Sequence, residues 1–156
     1  MSLAVTEFER FTLLHVATRG DTGEAAKRLS DGLGIRISTT PGGVAGHDDG
    51  PAVLWFGPGR WLVHASKQGW RMEAAAGCAI TDLSDSRRVF RLTGNGVHDY
   101  LAASCPLDIR EHSMPPGSCA MTQFDRIPIL LSRRSADEFD LYVERSLAPA
   151  LQLPVT

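Results

Sequence analysis

The feature that most constrains the fold is the stretch from Ala79 to Arg145, in which short apolar segments alternate with turn-forming residues. It opens with a strand and an acidic turn, continues through a second strand, Val89–Thr93, and a short helix, and ends in further strands. An order of strand, strand, helix, loop, strand and strand is typical of a compact α+β layer. The sequence therefore predicts an α+β fold in which helices pack on an antiparallel sheet.

Similar patterns extend this prediction over the rest of the chain. A helix is expected from a cap at Asp21 to a stop at Gly34, and a hairpin is expected around Gly57-Pro58-Gly59. Asn95 is a plausible cap for the helix that follows it. The antiparallel strands are expected in Phe11–Val16, Ala52–His64, Val89–Thr93, Cys119–Leu131 and Phe139–Val143.

Other patterns, the clearest of them in Phe139–Val143, give four further expectations. Ile35–Ile37 is apolar enough for a brief strand, and Lys67–Ala76 has a weak helical periodicity. The segment Thr39–Pro51 is rich in Gly, Pro and Asp and is expected to be a loop with little regular structure. In Phe139–Val143, apolar residues alternate with Asp140 and Tyr142, which is typical of a strand with one buried face.

Composition and charge narrow the functional classes. The 156 residues fit one domain, spanning 1–156, and the formal net charge of -2 gives no general attraction to nucleic acid or to an anionic membrane. No apolar run approaches the ~18 residues of a membrane span, and Met1–Val16 carries charges that a signal peptide lacks. Three widely spaced cysteines suggest a reducing compartment, so we expect a cytoplasmic protein.

The chemically reactive residue types form no recognisable catalytic or metal motif. Cys105 and Cys119 lack the close pairing of a zinc site, and we expect them to be structural thiols. Asp82, Asp85 and Asp108 fit turns as well as they fit acid/base pairs. The adjacent residues His47–Asp49 lie in the predicted loop and are expected to be solvated.

Several segments, taken in order, resemble the gamma subunit of heterotetrameric sarcosine oxidase. Their order and spacing over roughly Ala52 to Leu151 make the composite specific, although each segment alone is a weak signal. The resembling segments are Leu54–Leu62, Thr81–Arg87, Arg91–Gly94, Cys105–Ile109, Pro115–Thr122 and Phe139-x-Leu141-x-Val143 followed by Arg145-Ser146.

The resemblance implies a fold similar to the folate-binding domain of the glycine-cleavage aminomethyltransferase. It also implies a complex with alpha, beta and delta subunits that oxidatively demethylates sarcosine to glycine, with tetrahydrofolate as the acceptor. In that family, FAD, FMN, NAD and zinc are held by other subunits, so this chain is expected to hold no cofactor. It is then a non-catalytic structural subunit, and its exposed interface would support self-association when it is isolated.

A subunit of this kind must expose apolar or aromatic side chains for its partners. The long connection between Cys105 and Cys119 has too little predicted regular structure to bury all of its apolar residues. The weakly periodic helix predicted for Lys67–Ala76 offers Trp70 few apolar neighbours. We therefore expect an exposed partner surface to include Trp70, Leu107, Ile109, Met114, Pro115 and Pro116.

Two other functions stay open at this point. A stand-alone folate-binding or one-carbon transfer protein is compatible with the implied fold, because a fold by itself does not assign a function. Such a protein needs a carboxylate for the pterin ring and a pocket of a few hundred Å3, on the order of other ligand pockets. A thiol-dependent enzyme built on Cys119 is the more distant alternative.

Overall fold

The computed structural model describes residues 1–46, 50–73 and 77–156, which form two compact units. Unit 1 comprises Met1–Glu9 with Asp85–Thr156, and unit 2 comprises Arg10–Ser84. In chain order the elements are β1 (Ala4–Glu7), β2 (Thr12–Thr18), α1 (Thr22–Leu33), β3 (Val44–Ala45), β4 (Ala52–Gly57), β5 (Arg60–Ala65), β6 (Cys78–Asp82), β7 (Arg87–Thr93), α2 (Val97–Ser104), β8 (Ser118–Phe124), β9 (Ile127–Ser135), β10 (Glu138–Glu144) and α3 (Ala148–Leu151).

Each unit contains one five-stranded sheet, in which all neighbouring strands are antiparallel. The strand order is β1-β7-β10-β9-β8 in unit 1 and β3-β4-β5-β2-β6 in unit 2. The α+β class predicted from the sequence is confirmed. The prediction of a single domain over residues 1–156 stays a prediction beside this division into two units.

Unit 2 is built on the predicted helix and hairpin. The Asp21 side chain accepts a hydrogen bond from the backbone N–H of Glu24, and Gly34 ends α1 in the left-handed conformation at φ 67°. The buried face of α1 packs into a core with strands β2, β4 and β5. That core consists of Leu14, Val16, Ala26, Leu29, Ile37, Val53, Trp61 and Val63.

The hairpin between β4 and β5 depends on glycine at position 59. Gly59 has φ 68°, and a Cβ at this position would lie 2.7 Å from the Thr18 hydroxyl oxygen. That hydroxyl donates a hydrogen bond to the Gly59 carbonyl at 2.9 Å. Trp55 and Trp61 face each other across the hairpin, and Trp61 is buried with its indole N–H donating to the Ser38 carbonyl.

Unit 1 buries one face of its sheet against α2, α3 and the connection that follows α2. The core residues are Val5, Phe90, Leu92, Val97, Leu101, Cys105, Ile109, Met114, Phe124, Ile129, Leu131, Phe139, Leu141, Val143, Ala148 and Leu151. Pro128 lies on β9 beyond the last residue paired with β10, so its missing N–H interrupts no hydrogen bond on that side.

Three local predictions in unit 2 were wrong. Ile35–Ile37 is not a strand, because the N–H groups of Ile35 and Ile37 bond back to Ser30 on α1. The predicted loop Thr39–Pro51 contains β3, which pairs with β4. The segment from Lys67 to Glu73 is a turn followed by irregular chain instead of a helix. The remaining predicted residues, Ala74–Ala76 and His47–Asp49, lie outside the described part of the chain.

Two predictions in unit 1 also require correction. Gly96, not Asn95, occupies the N-cap of α2, and the Asn95 side chain instead accepts a hydrogen bond from the Ser2 N–H at 2.7 Å. The strand β10 is not half-buried: Asp140 is 1% and Tyr142 is 4% exposed. The Asp140 carboxylate is buried beside Arg91 of β7 and Arg134 of β9, whose charges compensate its own.

Candidate interface surfaces

Leu107, Ile109, Met114, Pro115 and Pro116 lie on one connection, Cys105–Gly117, which we call the proline loop. Ile109 and Met114 are buried in the core of unit 1, so their expected exposure was wrong. Leu107 is half-buried against the same core, whereas Pro115 and Pro116 are exposed. The accessible part of the predicted partner surface on this loop therefore narrows to the two prolines and the edge of Leu107.

A buried arginine on β9 holds the proline loop in place. The Arg133 Nη1 donates to the carbonyls of Met114 at 2.8 Å and Ile109 at 3.3 Å. Its Nε and Nη2 donate to the carbonyls of Ser135 and Ala136 at the β9–β10 turn, each at 3.0 Å. The side chain thus joins the loop to the sheet through four backbone acceptors, which gives the exposed prolines a defined position.

The sequence predicted the exposure of Pro115 and Pro116, but it did not predict the role of Arg133. The residue lies at the end of the apolar run Ile127–Leu131, where the adjacent pair Arg133-Arg134 interrupts an inner strand. A buried arginine requires hydrogen-bond acceptors around it, so an arginine pair at the end of an apolar run indicates that other parts of the chain supply these acceptors. This was the signal available in the sequence.

Asp108 organises the exposed side of the proline loop. Its carboxylate accepts hydrogen bonds from the Nε and Nη2 of Arg110, both at 2.9 Å, from the Arg110 backbone N–H and from the Ser113 hydroxyl. The Arg110 side-chain bonds, with the Ser113 bond next, hold the pKa of Asp108 well below its usual range. Asp108 therefore acts as a turn acceptor, one of the two roles that the sequence left open.

Trp70, the remaining predicted interface residue, lies in unit 2 beside a cavity. Its backbone N–H donates to the hydroxyl of Thr12 at 3.1 Å, and that hydroxyl donates to the Lys67 carbonyl at 2.7 Å. The indole is half-buried against the core of unit 2. It borders a cavity of about 430 Å3, whose walls are Arg28, Leu29, Gly32, Leu33, Trp70, Arg71, Met72 and Glu73.

The arginines that follow the acidic turn have structural partners in unit 1. Arg88 makes a two-point contact with the Glu7 carboxylate, at 2.6 and 2.7 Å. Arg91 makes a similar contact with the buried Asp140, at 2.8 and 2.9 Å. Arg134 lies 3.7 Å from Asp140. These pairs join neighbouring strands and neutralise charge within the sheet.

The cysteines have the properties of structural thiols. Cys105 and Cys119 are buried, as the sequence predicted, and Cys78 is half-buried. Desolvation, with a smaller effect from the charge on Asp125, raises the pKa of Cys105 to about 11. Burial also raises the pKa of Cys78. Within residues 1–46, 50–73 and 77–156, no three His, Cys, Asp or Glu side chains are grouped as metal ligands.

Among the residues that the structure describes, no helix has both the length and the apolar character required to cross a membrane.

Comparison with known proteins gives consistent relatives. No family model matches the chain. It is 32% identical over 123 residues to the sarcosine oxidase subunit gamma of Corynebacterium sp. (strain U-96), and 35% identical over 123 residues to that of an Arthrobacter species. These matches include 75% of this chain and 59% and 60% of the two relatives. The chain therefore spans about three fifths of the length of the curated relatives it matches.

Solved structures support the same relationship. A chain of heterotetrameric sarcosine oxidase from Corynebacterium sp. U-96 superposes with a TM-score of 0.80 at 28% identity, covering 94% of this chain and 78% of that one. The glycine cleavage system aminomethyltransferase T of Bartonella henselae has a TM-score of 0.65 at 15% identity, covering 96% of this chain and 44% of that one. The second likeness concerns the fold alone. In sequence and in fold, the chain is a homologue of sarcosine oxidase gamma subunits.

Proposed function

We propose that this chain is a non-catalytic subunit of a heterotetrameric flavoenzyme that oxidatively demethylates sarcosine, or a related N-methyl amine, to the corresponding amine. Its partners are alpha, beta and delta subunits, which hold FAD, FMN, NAD and zinc, and tetrahydrofolate accepts the one-carbon unit. The observation that carries this proposal is the similarity to sarcosine oxidase gamma subunits over 75% of the chain.

The arrangement of polar side chains supports the same proposal. Asp140, Asp108 and Glu7 accept hydrogen bonds from arginines or backbone groups within unit 1. Arg133 is surrounded by backbone carbonyls. These groups stabilise the fold, and none of them forms the pair of nucleophile and base that covalent catalysis requires.

Co-expression tests the proposed function. The chain is produced with alpha, beta and delta subunits from an organism whose gamma subunit is a relative, and the mixture is separated by size-exclusion chromatography. We expect the chain to elute with the other three and the complex to turn over sarcosine. If the other three assemble and oxidise sarcosine while this chain elutes alone, the proposal is wrong.

Folate binding by the isolated chain is the second candidate function. It is favoured by the aminomethyltransferase fold and by the cavity beside Trp70, which has an aromatic wall and the carboxylate of Glu73. Calorimetry with tetrahydrofolate tests it: micromolar affinity that is lost in Trp70→Ala supports this function, and the absence of heat excludes it.

A further inference from the structure

The sheet of unit 1 ends at β8, and this strand has the features of an unprotected edge. β8 is the terminal strand, and its ladder partner is β9. Its seven residues, Ser118–Phe124, include no charged residue and no proline. Natural edge strands usually carry a lysine, a proline or a bulge that prevents pairing with another chain. The composition of β8 therefore favours pairing with a further strand.

Met121 provides an apolar contact at the middle of this edge. It is 61% exposed, and the other large exposed hydrophobic residues of the described chain, Met1 and Val155, lie near the termini. Of these three exposed residues, Met121 is the one that lies on a named strand or helix. Flexible methionine side chains adapt well to a protein surface that packs against them.

The opposite edge of the same sheet is partly covered by the chain itself, at Val5 of β1. Val155 forms a parallel bridge with Val5 on β1, and the Thr156 N–H donates to the Val5 carbonyl at 2.8 Å. One edge is therefore covered in part, whereas no strand of the described residues pairs with the outer side of β8. A two-fold pairing of β8 with a second β8 uses the same edge of both copies, so self-association through this edge produces a closed dimer instead of a fibre.

The sequence of β8 permits antiparallel pairing with a second β8. A two-fold axis at Met121 places Met121 opposite Met121, Ala120 opposite Thr122, and Cys119 opposite Gln123. Each pair unites residues of the same face, since both members are odd-numbered or both are even-numbered. No like charges meet within the pairing, because the strand is uncharged. The flanking residues Asp125 and Arg126 would lie opposite the uncharged positions 117 and 116 of the second copy.

We propose that β8 is a docking edge for a second copy of this chain, joined through an antiparallel β8–β8 pairing with Met121 on the two-fold axis. The resulting dimer contains one continuous ten-stranded sheet, formed from the five-stranded sheet of each copy. This proposal concerns the chain on its own and does not depend on the proposed role in a flavoenzyme.

Analytical ultracentrifugation of the full chain tests the pairing. We expect a reversible monomer–dimer equilibrium between about 1 μM and about 500 μM. In Met121→Lys two ammonium groups meet at the axis, which should raise the dimer Kd by about tenfold or more. The matched control is Val155→Lys, which replaces an exposed apolar side chain on the covered edge of the same sheet and should leave the Kd unchanged.

Charge complementation identifies the axis. Met121→Glu should raise the dimer Kd in the same way as Met121→Lys, and an equimolar mixture of the two variants should restore a dimer containing one copy of each. Circular dichroism of each variant establishes that it is folded. A wild-type chain that stays monomeric at every concentration overturns the proposal, as does a dimer that is unaffected by Met121→Lys or a mixture that stays monomeric. Protection of β8 amides solely on addition of other subunits would also overturn it, since a different chain would then occupy the edge.

Discussion

At the scale of single residues, the structure is most informative about buried charge. Arg133 is 3% exposed and is surrounded by four backbone carbonyls, with the Phe139 ring centroid 5.5 Å from its guanidinium carbon. Carbonyl groups accept hydrogen bonds without bearing a full charge, so this guanidinium connects chain segments through four neutral acceptors. Arg133 therefore helps to position the exposed prolines, together with the Ser118 hydroxyl, which donates to the Pro115 carbonyl, and the Gly117 N–H, which donates to the Arg133 backbone carbonyl.

Replacing Arg133 by methionine tests this dependence. Met keeps much of the apolar volume but leaves the carbonyls of Ile109 and Met114 buried without their donor. We expect Arg133→Met to lower the free energy of unfolding by about 3 kcal/mol, measured by urea denaturation.

The control for this prediction is Arg36→Met, which removes an exposed arginine and should change the free energy of unfolding by less than about 0.5 kcal/mol. Arg133→Lys should recover part of the loss, because one ammonium cannot reach all four carbonyls. Equal stabilities of Arg133→Met and Arg36→Met would contradict the role given to Arg133.

At the scale of elements, side chains on neighbouring strands can supply the partners that allow a polar residue to be buried. The alternation in β10 is compatible with one exposed face, and the sequence predicted this arrangement. In the structure β10 lies between β7 and β9, and the Asp140 carboxylate is buried against Arg91. Desolvation raises the pKa of the buried Tyr142 well above its ordinary value. Polar residues in an alternating pattern therefore do not by themselves indicate exposure, provided that a neighbouring strand supplies their partners.

The N-terminal strand β1 gives a prediction on pH. Its Glu7 carboxylate binds Arg88 on β7, and this hydrogen-bonded pair lowers the pKa of Glu7 from the model-peptide range near 4.3. Because the folded-state pKa is the lower one, the pair stabilises the protein above about pH 4.5 and loses this effect as the pH falls through the folded-state pKa.

Glu7→Gln should therefore lower the free energy of unfolding by about 1 kcal/mol at pH 7, and the difference from wild type should shrink as the pH falls through the lowered folded-state pKa of Glu7. Urea titrations of both proteins at several pH values measure it. Glu24→Gln, which affects an exposed pair on α1, serves as the control with a smaller effect. A difference that is constant from pH 7 to pH 3 would rule out this linkage.

At the scale of the whole molecule, the main question is which surface would meet the other subunits of the proposed complex. The residues predicted for this role divide between buried and exposed positions: Ile109 and Met114 belong to the core, whereas Pro115 and Pro116 are accessible. Prolines in a loop held by Arg133 lose little conformational entropy on binding, which favours a contact of this kind.

Pro116→Glu tests the proline surface. Within the co-expressed complex, we expect this substitution to reduce the fraction of the chain that elutes with the other subunits by about tenfold, because a carboxylate would be desolvated at the contact. The control is Pro58→Glu in the β4–β5 turn, which is also exposed but lies outside the predicted surface. Equal co-elution of the two variants would remove the proline loop from the interface.

The sequence determined much of the architecture because local patterns are strong where turns and caps are specific. Asp21 and Gly34 define α1, and Gly59 defines a hairpin in which any other residue would be strained. The order of the resembling segments also led to the gamma-subunit family, which the relatives confirm. The caps and the turn depend on residues within a few positions of one another, so they can be recognised in a single sequence. The order of the resembling segments can also be read from one sequence.

Tertiary structure alone decided which residues became neighbours across long sequence separations. The pairing of β10 with both β7 and β9 buried Asp140 beside Arg91, 49 positions away. The Arg133 side chain reached back to Ile109 and Met114, and so the apolar residues of the proline loop entered the core. Hydrogen bonds and burial of this kind depend on where the whole folded chain places each group. A short stretch of sequence does not determine that position, because the partner residues lie outside it.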